Sequence, residues 1–149
     1  MNKQETREFF EEKAKEYNLP DEWKFKLCNG YSRIGYCNRL KKTVSISREL
    51  IKNGTDKEIK DVVLHELAHA LAPKGAKHNW QWKSLLISMG GDGKRTHSYS
   101  LNKPVNYVLT CDCGYVKRNY MKKPSLDLKR YSCRTCGSKL KVCKCDEDE

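Results

Sequence analysis

His65, Glu66 and His69 stand within residues 62–71 in the order H-E-x-x-H. Successive helical residues turn by about 100°, so positions i and i+4 share a face and both imidazoles can reach one cation. Glu66 is not needed as a ligand. Beside such an ion it stands where a base takes a proton from water. The flanking residues describe the helix that must carry this set. Asn53-Gly54 signals a turn, and Thr55-Asp56-Lys57-Glu58 reads as a capping box. Ile59, Val62, Val63, Leu67, Ala70 and Leu71 form a broad apolar face, so the helix is expected to be buried. Pro73 and Gly75 end it. Two imidazoles and a carboxylate are costly to bury without partners, and a bound cation gives the histidines one. The plainer reading, satisfied polar histidines that match a short pattern by chance, is weakened by that context.

A catalytic zinc ion usually takes three protein ligands and leaves one position open. The chain has four histidines, so the third ligand is His78 or His97. His78 follows the loop at residues 72–77 and opens a second helical stretch over residues 79–89, with Trp80, Leu85, Leu86 and Met89 at apolar spacing. A helix-loop-helix of this kind can fold His78 back over the first pair. His97 lies in a Gly- and Ser-rich loop after Gly90-Gly91-Asp92-Gly93 and reads as a solvent-exposed loop residue.

Eight cysteines in 149 residues mean either disulfides or metal. The N-terminal residues have no apolar signal-peptide core, and no stretch is long and apolar enough to span a membrane. An intracellular chain is therefore expected, and that points the cysteines to metal. Cys111-Asp112-Cys113-Gly114 and Cys133-Arg134-Thr135-Cys136-Gly137 form two knuckles with 19 residues between Cys113 and Cys133, near the interval of a four-cysteine zinc site. Glycine after each knuckle allows the left-handed turn that aims N–H groups at the sulfurs. Tyr107, Val108 and Leu109, and again Tyr131, read as short strands leading into the knuckles. Cys143 and Cys145 read as free thiols or a fortuitous pair in a polar tail, and Cys28 and Cys37 as small buried apolar residues.

The run His65-Glu66-Leu67-Ala68-His69-Ala70-Leu71, the short Gly-containing loop, and His78-Asn79-Trp80-Gln81-Trp82 resemble the SprT-like metallopeptidases, the group of bacterial SprT proteins and eukaryotic Spartan proteases. The family commonly has Gly where this chain has Asn79, and Trp82 is the match for its aromatic. A ribbon of the form C-x-C…C-x-x-C after the protease helices is also a family trait, so the resemblance spans nearly the whole chain. It implies His65, His69 and His78 as ligands of a catalytic zinc, Glu66 as the base, and a role in repair of DNA–protein crosslinks.

Two lobes are expected: a metallopeptidase domain over residues 1–102 and a ribbon over residues 103–145 whose fold depends on a structural zinc held by Cys111, Cys113, Cys133 and Cys136. Residues 146–149 form an acidic tail. The formal charge of +11 is concentrated: residues 103–145 carry 11 Lys or Arg against Asp112 and Asp127, whereas residues 1–102 carry 19 basic and 13 acidic residues. Lys117-Arg118, Lys122-Lys123 and Lys129-Arg130 interleave with Tyr115, Tyr120 and Tyr131. Basic groups neutralise phosphates and tyrosines stack on bases, so DNA is the expected partner of the ribbon.

A helix over residues 5–17, strands over residues 23–28, 33–38 and 43–47, then the two metal-bearing helices give an α+β architecture with a short antiparallel or mixed sheet, in which residues 43–47 would be the substrate-pairing edge strand. The expected function is a zinc endopeptidase acting on DNA-bound proteins, cytoplasmic and nucleoid-associated, or nuclear in a eukaryote. The competing expectation is a nucleic-acid-binding or regulatory protein on a peptidase fold that does not cleave. Such a protein would need the histidines but not Glu66.

Overall fold

The computed structural model describes residues 1–97, 101 and 104–145, so the acidic tail lies outside the described residues. The chain divides into two compact units, Met1–Leu101 and Asn102–Glu149.

The first unit begins with α1 (Lys3–Glu16), started by a reciprocal capping box in which Asn2 accepts from the Glu5 N–H and Glu5 accepts from the Asn2 N–H. Three strands follow: β1 (Lys24–Cys28), β2 (Gly35–Asn38) and β3 (Thr43–Ser47). The sheet order is β1-β3-β2, with β1 parallel and β2 antiparallel to β3. The sheet is thus mixed. All five residues of β3 are buried, because strands cover both of its edges and helices pack nearby. This corrects the expected edge strand: β3 is the centre of the sheet, and β2 is the strand with an unpaired edge beside the site. Val44 and Ile46 alternate with Thr and Ser, a pattern that suggests one wet face. The hydroxyl residues are small enough to be buried as well.

A short helix, α2 (Arg48–Asn53), leads into α3 (Asp56–Leu71). Thr55 caps α3 by accepting from the Glu58 N–H at 3.2 Å. Nearly every face of α3 is covered: Ile59, Val62, Val63 and Leu67 are wholly buried, and the helix packs on α1, β2, β3 and α4 (Trp80–Ser88). It is the axis of the core, which also takes Phe10, Val44, Ile46, Leu50, Trp82 and Leu86. Asn79 is the N-cap of α4 and accepts from the Gln81 and Trp82 N–H groups at 3.0 and 3.3 Å. Its φ of −75° makes no demand for glycine.

The second unit is a three-stranded antiparallel sheet, β4 (Tyr107–Thr110), β5 (Lys117–Tyr120) and β6 (Lys141–Lys144), with β4 in the centre. Tyr131 does not lie in a strand. It follows a 3-10 turn at Leu128–Arg130, and only a single bridge, Ser132 to Lys139, pairs that segment. Cys143 lies within β6 opposite Val108, so the cysteine pair near the C-terminus begins in a strand and not in a tail.

Candidate metal centre

The 16 residues of α3 place His65 and His69 one turn apart on its last two turns. The loop between α3 and α4 turns back through Gly75 at φ +83° and Lys77 at φ +48°, and delivers His78 to the same point. The three Nε2 atoms converge. His78 Nε2 lies 3.1 Å from His69 Nε2 and 3.3 Å from His65 Nε2. All three lie within 4.8 Å of one another. A tetrahedral zinc with Zn–N bonds of about 2.0–2.1 Å sets its nitrogens about 3.3 Å apart, so the separations fit a single ion.

Trp82 forms the floor. It is 1% exposed, its ring meets those of His65, His69 and His78 at centroid distances of 4.8, 5.2 and 4.6 Å, and its indole N–H donates to the His65 carbonyl at 3.3 Å. Arg39 fixes the end of α3 by donating through Nη1 to the carbonyls of His69 and Ala72, at 2.8 and 2.6 Å. Two carbonyls that the helix leaves without an internal partner are thereby satisfied by a cation placed at the negative end of the helix dipole. Arg39 carries no sequence signal for this role, since it reaches the end of α3 only across the fold, whereas the Asn79 cap is local.

The protonation state of the histidines suits a metal ion. Burial pulls the pKa of His65 down to about 3 and that of His69 to about 4, and lowers that of His78. The imidazoles are therefore neutral at physiological pH, the form that binds metal. Glu66 is 7% exposed, and burial raises its pKa to about 7 against the opposing charge of Arg33. A carboxyl poised there can both accept and return a proton near neutrality. Its neighbour across the cleft is Gly35 on β2: a Cβ at that position would lie 2.8 Å from Val62 Cγ1 and 3.2 Å from Glu66 Cγ. The strand lies this close to Glu66 because it has no side chain there.

The three histidines and Glu66 line a cleft of about 540 Å³, walled on one side by Gly35, Tyr36 and Cys37 of β2. His97, expected to be an exposed loop residue, is half-buried instead, with its ring 4.7 Å from that of His65. Nothing in its Gly-rich sequence surroundings signals this placement.

In the second unit, Cys111, Cys113, Cys133 and Cys136 form one cluster whose sulfurs lie within 4.8 Å of one another. The 111–113 and 113–133 sulfur pairs are 3.5 and 3.7 Å apart, close to the roughly 3.8 Å that Zn–S bonds of about 2.3 Å set in a tetrahedron. Gly114 and Gly137 follow the knuckles at φ +73° and +71°, and the Val116 N–H points at Cys111 Sγ at 3.4 Å. That N–H lowers the pKa of Cys111, and the Ser138 hydroxyl lowers that of Cys136 to about 6, both toward the thiolate, whereas that of Cys113 rises to about 12, against the Tyr115 N–H, through its sulfur neighbours and burial. Cys28, Cys37, Cys143 and Cys145 are free cysteines outside this cluster.

Comparison with known proteins agrees with this geometry. A protein named "Protein SprT-like" from Lactococcus lactis subsp. lactis (strain IL1403) is 33% identical over 89 residues, covering 56% of this chain and 57% of the relative. Another of the same name from Lactiplantibacillus plantarum (strain ATCC BAA-793 / NCIMB 8826 / WCFS1) is 27% identical over 105 residues, covering 66% of this chain and 69% of the relative. The chain thus spans little more than half the length of the Lactococcus relative. Among solved structures, the metallopeptidase zymogen of Methanocaldococcus jannaschii jannalysin superposes with a TM-score of 0.50 at 17% identity, over 56% of this chain and 79% of the other, which establishes a shared fold. The sequence model of the SprT-like family matches residues 2–100, the stretch that carries the three histidines and Glu66, and the chain belongs to that family.

Proposed function

We propose that this chain is a zinc-dependent endopeptidase that cleaves proteins associated with or crosslinked to DNA. The observation that carries the reading is the convergence of three neutral imidazoles on one point, with a buried carboxyl of raised pKa beside it. Zinc bound there supplies a Lewis acid that acidifies water and polarises a carbonyl. Glu66 takes the proton and passes it to the leaving amine. The open edge of β2 pairs with the extended substrate backbone, and Gly35 lets β2 itself lie close to Glu66. Membership of the SprT-like family and the fold shared with a metallopeptidase zymogen support this role.

The DNA part of the proposal rests on the second unit. Cys111, Cys113, Cys133 and Cys136 hold a structural zinc that fixes the ribbon. The two acids of residues 104–145 are engaged, Asp127 by Arg130 and Asp112 by Lys141, so the remaining cations of this stretch have no further carboxylate within it to pair with. Tyr115, Tyr120 and Tyr131 share with Arg118 and Arg134 a cleft of about 400 Å³, whose aromatic and cationic lining suits a base and its phosphate. Substrates are then chosen by where they sit more than by their sequence. The enzyme works in the cytoplasm on the nucleoid, or in the nucleus of a eukaryote; no helix among the described residues is long and apolar enough to cross a membrane.

The test is cleavage of a DNA-binding protein such as a histone, with and without DNA, by the zinc-loaded chain and by Glu66→Gln. Cleavage that vanishes in the variant while its zinc content is unchanged supports the peptidase. Equal cleavage by both chains removes Glu66 from the chemistry. No cleavage by either, with DNA binding intact, favours a binding protein on a peptidase fold. DNA affinity should fall steeply with added salt, and a flat response would refute the phosphate contacts.

A further inference from the structure

His65 presents a problem that the other two histidines do not. Its Nε2 faces His78 Nε2 at 3.3 Å and is committed to the metal point. A neutral imidazole carries one N–H, so an Nε2 that gives its lone pair to an ion leaves the proton on Nδ1. His65 Nδ1 is buried and has no hydrogen-bond partner among the described residues, and of the three rings only His65 has such an atom. A buried N–H without an acceptor is expensive, and metal-binding histidines as a rule donate their second ring N–H to a neighbour.

The structure brings one polar ring to that place. The His97 centroid lies 4.7 Å from that of His65, at an interplanar angle of 54°; no hydrogen bond reaches His65 Nδ1 as the rings stand, and at this separation a turn of one ring brings two imidazole nitrogens to hydrogen-bond distance. Its position is set by the loop after α4, where Gly93 takes φ +72°. The carboxylates of Asp92 and Asp61 act on it electrostatically, and Asp61 lies one helical turn before His65 on α3.

We propose that His97 is a positioning residue of the metal centre, accepting the Nδ1 proton of His65 and so fixing its tautomer and the direction of its Nε2. This rests on the three-histidine zinc centre proposed above. His97 touches no reacting atom in this role; it acts through His65.

The experiment is a chelator competition on the full chain loaded with zinc, comparing wild type, His97→Phe and His97→Gln. Phenylalanine keeps a ring against His65 and removes the acceptor; glutamine keeps an acceptor oxygen and removes the ring. The ribbon zinc is an internal control. His97→Phe should weaken one of the two bound zinc ions by about 10- to 100-fold and leave the other unchanged. His97→Gln should recover most of that loss. Wild-type zinc affinity in His97→Phe would overturn the proposal, and so would a loss in His97→Gln as large as in the phenylalanine variant. A wild-type chain that held only the ribbon zinc would instead remove the metal centre on which the role depends, which separates the two failures.

Discussion

Replacing Glu66 with glutamine should stabilise the metal-free chain, and by an amount that depends on pH. Burial raises the Glu66 pKa from 4.5 to about 7 in the folded state. Between those values the folded protein holds a proton that the unfolded chain releases. The stability associated with this group is therefore fully present below pH 4.5 and is lost as pH rises through 7. The 2.5-unit gap corresponds to about 3 kcal/mol at pH 8 and about 1.4 kcal/mol at pH 5.5. Glutamine has nearly the shape of the protonated acid and does not ionise, so it escapes the penalty. The depressed histidine pKa values act equally on both chains and cancel in the comparison. Urea unfolding of the metal-free proteins, followed by tryptophan fluorescence, isolates the relevant unit, since Trp23, Trp80 and Trp82 all lie in residues 1–101. The difference between variant and wild type should be near zero at pH 4.5 and grow to about 3 kcal/mol in favour of the variant at pH 8. A difference that stays constant across this range would refute the burial of an ionisable Glu66.

Gly35→Ala should cost about 1–3 kcal/mol and impair cleavage, because its Cβ meets Val62 Cγ1 at 2.8 Å and presses on Glu66; urea unfolding and peptidase assays read both effects, and wild-type behaviour would mean the strand is not held against the base. Asn79→Ala should cost about 1 kcal/mol and Asn79→Gly only a few tenths, since the side chain caps α4 and no left-handed turn is needed there. Unfolding that ranks alanine above glycine would contradict the cap. Chelation of zinc should abolish amide protection in β4, β5 and β6 while α3 stays protected in hydrogen exchange, because the ribbon depends on metal and α3 sits in an apolar core. Protection retained in β4–β6 would show that the ribbon folds on burial alone.

The helices of the site were legible because their signals are local. The i, i+4 spacing of His65 and His69, the Thr55 cap and the apolar face of α3 all lie within one continuous segment, and Pro73 marks its end. The cysteine knuckles were legible for the same reason, through spacing and the glycine that follows each one. What escaped depends on long-range pairing. Nothing in residues 43–47 tells that both edges of β3 are taken, by β1 on one side and β2 on the other. Tyr131 has strand composition, but the 3-10 turn before it leaves only one bridge. Asn79 is a local exception, since its side chain supplies a cap to α4 that glycine lacks. His97 was the largest surprise, since a loop histidine reaches His65 only through the path of the chain in space.

Counting zinc per chain after exhaustive dialysis tests the centre most directly. The account predicts two ions in the wild type and in Glu66→Gln, and one in His78→Ala, which removes a corner of the imidazole triangle and leaves the four thiolates intact. Two ions retained by His78→Ala would show that the triangle is not where the first ion sits.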